Sequence, residues 1–249
     1  MTRHPWIVPD WPAPPSVRAL STTRHGGSSA APYASFNLSD YVGDAPDAVA
    51  HNRAQLHARV GLPSAPHWLR QVHGTRVLEL DHSAVETAEP PEADAAVTMR
   101  RGVVCAVQTA DCLPILFCDT AGTRVGAVHA GWRGLANGVI EAALMRLDAP
   151  AVKIIAWLGP AIGPDAFEVG DDVRAAFVND APEASRCFRG HAPGKWHADL
   201  YALARLRLQR AGVTQVYGGG GCTFNDAQQF FSYRRDNVTG RMATLIWLE

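Results

Sequence analysis

The chain has 249 residues, 47% of them hydrophobic and 19% charged, and its 23 Lys and Arg nearly balance 24 Asp and Glu for a formal net charge of −1. This composition excludes a disordered or coiled-coil chain, and the lack of any basic block argues against nucleic-acid binding, which needs many phosphate-neutralising cations. No apolar run approaches the roughly 20 residues of a membrane span, MTRHPWIVPDWPAPPS at the start has no signal-like apolar core, and five scattered cysteines (Cys105, Cys112, Cys118, Cys187 and Cys222) fit a reducing compartment, so a cytoplasmic protein is expected.

VRALSTTR (17–24) reads as a short strand, followed by the irregular Gly/Ser/Pro/Asn loop HGGSSAAPYASFNLS. DAPDAVAHNRAQLHARVGL reads as a helix capped by Asp44 or Asp47 and stopped by Gly61. HWLRQVHGTRVLEL suggests two strands about a turn at His73-Gly74-Thr75, and AEPPEAD (88–94) a loop. AAVTMRRGVVCAVQTADCLPILFCD holds strands interrupted at TADCLP, with Pro114 expected at a strand start or edge because proline cannot donate to a ladder. TRVGAVHA is a further strand, LANGVIEAALMRL a helix by its apolar spacing, and VKIIAWLGPAIG a strand running into a Gly-Pro turn. Helices follow at DDVRAAFVND and HADLYALARLRLQRAG, then strands at VTQVYGGGGCTF and RMATLIWLE. The mixture of alternating and consecutive strands predicts an α/β or α+β fold, one domain over residues 1–249, with mixed β-sheets flanked by helices.

LRQVHG, QTADCLP and AVHAGW share a design: an apolar run, a reactive side chain, then a turn residue. They offer His73, Cys112 and His129. Strand ends are where α/β proteins place binding groups, and two imidazoles with one thiolate suit Zn²⁺, leaving a fourth tetrahedral position for water or substrate. In VGAVHA, Val125, Ala127 and His129 alternate onto one face, so His129 is the last side chain there before Gly131 and Gly134 let the backbone approach a ligand. The spacing, 39 positions from His73 to Cys112 and 17 from Cys112 to His129, matches no zinc-finger pattern, and separate buried Cys and His residues remain the alternative. Cys105 and Cys118, within apolar strands, read as core thiols; His25, His51, His57, His67, His82, His191 and His197 read as surface or loop residues.

HWLRQVHG, TADCLPILF, AVHAGWRGL, LGPAIGPDAFEVG and FFSYRRDNVTGRMA, in this order, resemble the YfiH family, also called the laccase-domain or polyphenol-oxidase-like family, of multifunctional purine nucleoside phosphorylases. The resemblance runs from STTRHGG to the last strand. It implies a cytoplasmic protein whose zinc is held by His73, Cys112 and His129, with phosphate and a purine nucleoside (adenosine, inosine or methylthioadenosine) as substrates and adenosine deamination as a further activity. Phosphorolysis needs an anion site, and a guanidinium fork matches phosphate oxygens. Arg133, at a helix start whose N–H groups favour anions, is the first candidate, Arg234 and Arg235 the second and Arg24 the third. Asp111 is a candidate general base or partner of a zinc-bound histidine, and Asn37 a candidate for a ribose hydroxyl or base edge. A deaminase here would lack the usual P-C-x-x-C signature.

Three rivals stand beside this reading. A metal-free cysteine hydrolase or deamidase would use Cys112 as nucleophile, a histidine base and Asp111 as orienting group. A copper-dependent polyphenol oxidase would need further histidine clusters; the chain has no His-x-His pair, and its four methionines follow no blue-copper pattern, although copper can enter a His₂Cys site. A zinc-stabilised binding protein would want four ligands rather than three.

Overall fold

The computed structural model describes residues 6–80 and 89–249; the first five residues of the N-terminal stretch, His82 and the first residue of the 88–94 loop lie outside them. A six-stranded mixed sheet has the order β11 (Gln215–Gly218), β7 (Ile154–Leu158), β5 (Leu113–Asp119), β6 (Val125–Ala130), β3 (Ala95–Thr98) and β2 (Val77–Glu79). Only its outer pairs, β11 with β7 and β2 with β3, are parallel. A three-stranded antiparallel sheet has the order β1 (Val17–Ser21), β12 (Met242–Leu248) and β4 (Val104–Thr109).

Side-chain alternation stacks these sheets. On β5, Leu113, Ile115 and Phe117 pack with Ile140, Ala143 and Leu147 of helix α3 (Val139–Leu147) and with Leu203 of α5 (Leu200–Arg210). The intervening Leu116 and Cys118 pack between the sheets against Cys105 and Val107 of β4 and Ile246 of β12. The outer face of the small sheet, with Val104, Ala106 and Leu245, is covered by Phe36, Leu38 and Leu56 of α1 (Pro46–Val60). Every residue of β4, β5, β6 and β12 is buried, which is why they read as unbroken apolar runs. Along β6, Val128 and Ala130 face the helices while Val125 and Ala127 face the inter-sheet core. His129 shares the parity of the latter pair, as the sequence pattern requires.

The mixed α/β expectation holds, with local differences. The N-cap of α1 is Ala45, whose methyl cannot cap; Asp44 accepts from the Ala45 N–H instead, and Asp47 lies in the first turn. Pro46 opens this helix without losing a bond, and Gly61 closes it in the left-handed conformation at φ 67°. The first limb of the expected 67–80 strand pair makes only isolated bridges, His67 to Cys105 and Arg70 to Glu92. Pro114 sits second in β5, at a strand start as expected. The expected helix after β6 is two, α2 (Trp132–Asn137) and α3, because Gly138 turns left-handed at φ 97° between them. After α4 (Asp171–Val178), residues 197 and 198, expected in a helix, belong to a third sheet of order β8 (Glu168–Gly170), β10 (Lys195–Ala198) and β9 (Phe188–Ala192). Most of β9 is exposed, so it left no apolar alternation to read.

An added Cβ at Gly138 would touch neighbours no closer than 3.5 Å, so its cost is the left-handed backbone alone. Gly138→Ala should destabilise the protein by about 1–2 kcal/mol and lower Tm by a few degrees in calorimetry. An unchanged Tm would show that the break does not need glycine.

Candidate metal centre and active site

His73, Cys112 and His129 meet at one end of the two-sheet sandwich. Cys112 lies where the chain, leaving β4, crosses through Ala110 and Asp111 into β5. His129 is the penultimate residue of β6, paired with Pro114 of β5. His73 sits on the tight turn before β2, left-handed at φ 61°. One ligand atom from each of the three lies within 4.8 Å of the others, and among the described residues they form the one such metal-ligating group. Sγ of Cys112 is 3.7 Å from Nε2 of His73. A tetrahedral zinc would separate sulfur and nitrogen ligands by about 3.6 Å, so this pair is spaced for a shared ion. The two imidazoles stand edge to face, 4.8 Å between centroids. His129 is buried and His73 exposed, which leaves the centre open to solvent on one side. Gly131 forms its floor: a Cβ there would stand 2.6 Å from the His73 ring and 3.1 Å from Cys112 Sγ.

The residue that organises this centre is Asp94, fully buried just before β3. Its Oδ1 accepts from His129 Nδ1 at 2.8 Å and from the His73 backbone N–H at 2.9 Å. Its Oδ2 accepts from the Gly74 N–H at 2.7 Å and the Val72 N–H at 3.3 Å. One carboxylate thus clamps the turn that carries His73 and holds a proton on Nδ1 of His129, which frees Nε2 as a lone-pair donor for a metal. Burial alone would raise the Asp94 pKa; the hydrogen bond and charge of His129, with the two short turn amides, outweigh it and hold the group ionised. Sequence reading missed Asp94 because it closes a Pro/Glu-rich loop with no ligand-like spacing.

The same packing shifts the acidities of Cys112 and His129 toward a thiolate and a charged imidazole. Burial would raise the Cys112 pKa, but the charge and hydrogen bonds of His129 and His73 bring it down to about 6. Burial would lower that of His129, and Cys112 with Asp94 raises it to about 9. Zinc binding requires the thiolate and neutral imidazoles, so Cys112 is already in its donor state, while an entering ion displaces the proton on Nε2 of His129 and leaves the one on Nδ1 that Asp94 holds.

The other candidates fall into different roles. Asp111, left-handed at φ 101°, orients neither histidine: its carboxylate accepts from Thr223 Oγ1 at 2.6 Å and from the Arg234 N–H at 2.6 Å, tying α6 (Tyr233–Asp236) to the corner that presents Cys112. Asp94 takes the partnering role expected of Asp111. Asn37 is fully buried and saturated, donating to Ser39 O and Asp44 Oδ2 and accepting from the Ser39 and Arg241 N–H groups. With both amide protons and both lone pairs engaged, it has nothing left for a ribose hydroxyl and instead pins its loop to β12. Arg24 and Arg235 are likewise spent on backbone carbonyls and, for Arg235, on Asp236. Arg234 is exposed, donating to Glu168 O at 2.8 Å with its guanidinium over Phe167. Arg133 is exposed and stacked 4.5 Å over Trp132, with no carboxylate partner among the described residues. At six residues α2 is too short to provide the helix-terminus anion site expected there.

The sequence and fold of the chain match a known group of proteins. The chain belongs to the family described as multi-copper polyphenol oxidoreductase laccase, whose model matches residues 18–249. A purine nucleoside phosphorylase of Pseudomonas aeruginosa is 54% identical over 245 residues, 98% of each chain. The purine nucleoside phosphorylase YfiH of Escherichia coli is 53% identical, covering 97% of this chain and 98% of its own. A crystal structure from Neisseria meningitidis matches with a TM-score of 0.94 at 52% identity, over 99% of this chain and 100% of that one.

Asp94→Asn keeps the size of the side chain but cannot accept from all four donors, and should weaken zinc affinity about 10- to 100-fold in chelator competition; wild-type affinity would refute the orienting role. In metal-stripped protein, the rate of Cys112 alkylation by iodoacetamide should rise through about pH 6 and level off above it, since only the thiolate reacts. An inflection near the ordinary thiol value of about 8.5 would show that the histidines do not stabilise the thiolate.

Proposed function

We propose that the chain is one catalytic domain, a zinc-dependent purine nucleoside phosphorylase that cleaves adenosine, inosine and methylthioadenosine with inorganic phosphate and also deaminates adenosine. The observation that carries the reading is the three-donor centre, oriented by Asp94 and open on one side, in a chain whose relatives at about half identity over their full length are named purine nucleoside phosphorylases. In phosphorolysis a phosphate oxygen bonds to C1′ as the glycosidic C–N bond breaks, and the base leaves with that electron pair and a proton. In deamination water adds at C6 and ammonia departs. When bound, zinc supplies Lewis acidity and a water acidic near neutral pH.

The chain's own residues bind and orient. His73, Cys112 and His129 hold the ion, and Asp94 fixes the tautomer of His129. Arg133 and Arg234, exposed beside Trp132 and Phe167, offer cationic edges next to aromatic faces at which a purine and its phosphate partner can be held. Asp111 positions the Cys112 corner. The five cysteines are free, which accords with work in a reducing compartment such as the cytoplasm.

One rival draws on a specific observation: Cys112 beside two imidazoles is also a nucleophile of depressed pKa, the arrangement of a metal-free thiol hydrolase. The copper-oxidase reading draws on the family description, but its chemistry needs more than one His₂Cys group, and the described residues supply one.

Metal analysis joined to a base-release assay on adenosine separates these. The purified protein should carry one zinc, release adenine only with phosphate present, and fall to background both in Cys112→Ala and after chelation. Full activity in the metal-free protein would establish the thiol enzyme instead. Base release indifferent to phosphate would mean hydrolysis, and ammonia without free base would leave only the deaminase.

A further inference from the structure

Arg241, just before β12, was not among the arginines the sequence singled out. The register pairs Met242 with Thr109 on β4, so Arg241 stands across from the step into Asp111 and Cys112. Its backbone N–H is held by Asn37 Oδ1 at 2.9 Å, and Nη1 donates to the carbonyls of Thr239 at 2.9 Å and Gly240 at 3.1 Å. One corner of the guanidinium is therefore fixed by backbone. Among the described residues no carboxylate pairs with it, and Nε and Nη2 have no hydrogen-bond partner. Its guanidinium carbon lies 5.8 Å from the Tyr233 ring centroid. Burial disfavours its charge, while Tyr41, Cys112 and Asp111 act to keep it. Thr239, whose carbonyl holds Arg241, keeps a buried hydroxyl without a partner among the described residues.

The anionic groups that favour its charge, Asp111 and Cys112, are engaged elsewhere, Asp111 with Thr223 and the Arg234 N–H and Cys112 with the histidines. None therefore pairs with Arg241 directly, and a bound anion would offset the cost of its burial. The free edge of such an arginine is a bidentate donor fork, matched to two oxygens of a tetrahedral oxyanion. By contrast, Arg133 stands exposed on Trp132 and Arg234 is tied to Glu168. We propose that Arg241 is the principal anchor for inorganic phosphate, seating the anion beside the His73–Cys112–His129 centre. This rests on the phosphorylase reading for the identity of the anion, while the binding test below does not depend on turnover.

Titration calorimetry of the zinc-loaded protein with inorganic phosphate, alongside KM for phosphate and for adenosine, tests it. Arg241→Gln should weaken phosphate binding and raise the phosphate KM by about 10- to 100-fold, the range for losing charge-assisted hydrogen bonds. The adenosine KM and zinc content should stay near wild type. Arg241→Lys, which keeps the charge but not the fork, should recover part of the loss, and carries the test if Arg241→Gln does not fold. Wild-type phosphate affinity in either variant overturns the assignment. A wild-type protein that binds phosphate through Arg241 yet releases no base retires the phosphorylase reading and leaves the anion site standing. A phosphorylase whose phosphate affinity ignores Arg241 retires the anion site alone.

Discussion

The hydrogen bond from His129 Nδ1 to the buried carboxylate of Asp94 is the interaction on which the centre depends. It exists because β3 and β6 pair in one register: Ala95 faces Val128, and the His129 N–H donates to the Asp94 carbonyl at 2.7 Å. A slip of one residue would send the imidazole into the helix-side core and an apolar side chain to the metal side. The apolar alternation of β6 prevents that slip, so hydrophobic packing enforces the geometry of a polar site. A lone buried carboxylate would be unfavourable; here four N–H groups offset its desolvation. Because three of those donors belong to the Val72–Gly74 turn, the same group places both histidines.

The remaining ligand depends on a corner rather than on a strand. Between β4 and β5 the chain passes from one sheet to the other in three residues, and it does so with Asp111 at φ 101°. Non-glycine residues in that region cost about 1–3 kcal/mol and persist where surroundings hold them. Thr223, the Arg234 N–H and the Ile162 N–H hold this one. His73 lies in the same backbone region and is held by Asp94. Strain thus falls at or next to two of the three candidate ligands, each braced by a carboxylate whose function is positional.

Electrostatics at the site follow from this packing. The imidazoles stabilise the Cys112 thiolate, Asp94 stabilises a charged His129, and Arg241 supplies a positive group with an edge free beside them. The centre is suited to a cation of borderline softness with an anion next to it. The proposed zinc ion and phosphate would satisfy both demands, whereas a cluster of coppers would need ligand groups beyond the single His₂Cys set of the described residues.

Much of this was legible in the residues alone. Continuous apolar runs marked the buried strands, period-two alternation placed His129 with Val125 and Ala127, and ordered motifs carried the family and pointed to the three candidate metal-binding side chains that the structure brings together. Pairwise closeness across 39 and 17 positions was not legible, because sequence distance carries no information about which corners the sheets bring together. For the same reason Asp94 looked like the end of a loop and Arg241 like the start of a strand. Asn37 and Asp111, polar residues in striking motifs, looked like ligand contacts, but their polar atoms are spent inside the protein. The local chain determined which side chains could do chemistry; strand register and sheet stacking alone decided which of them meet, since those depend on contacts between residues far apart in sequence.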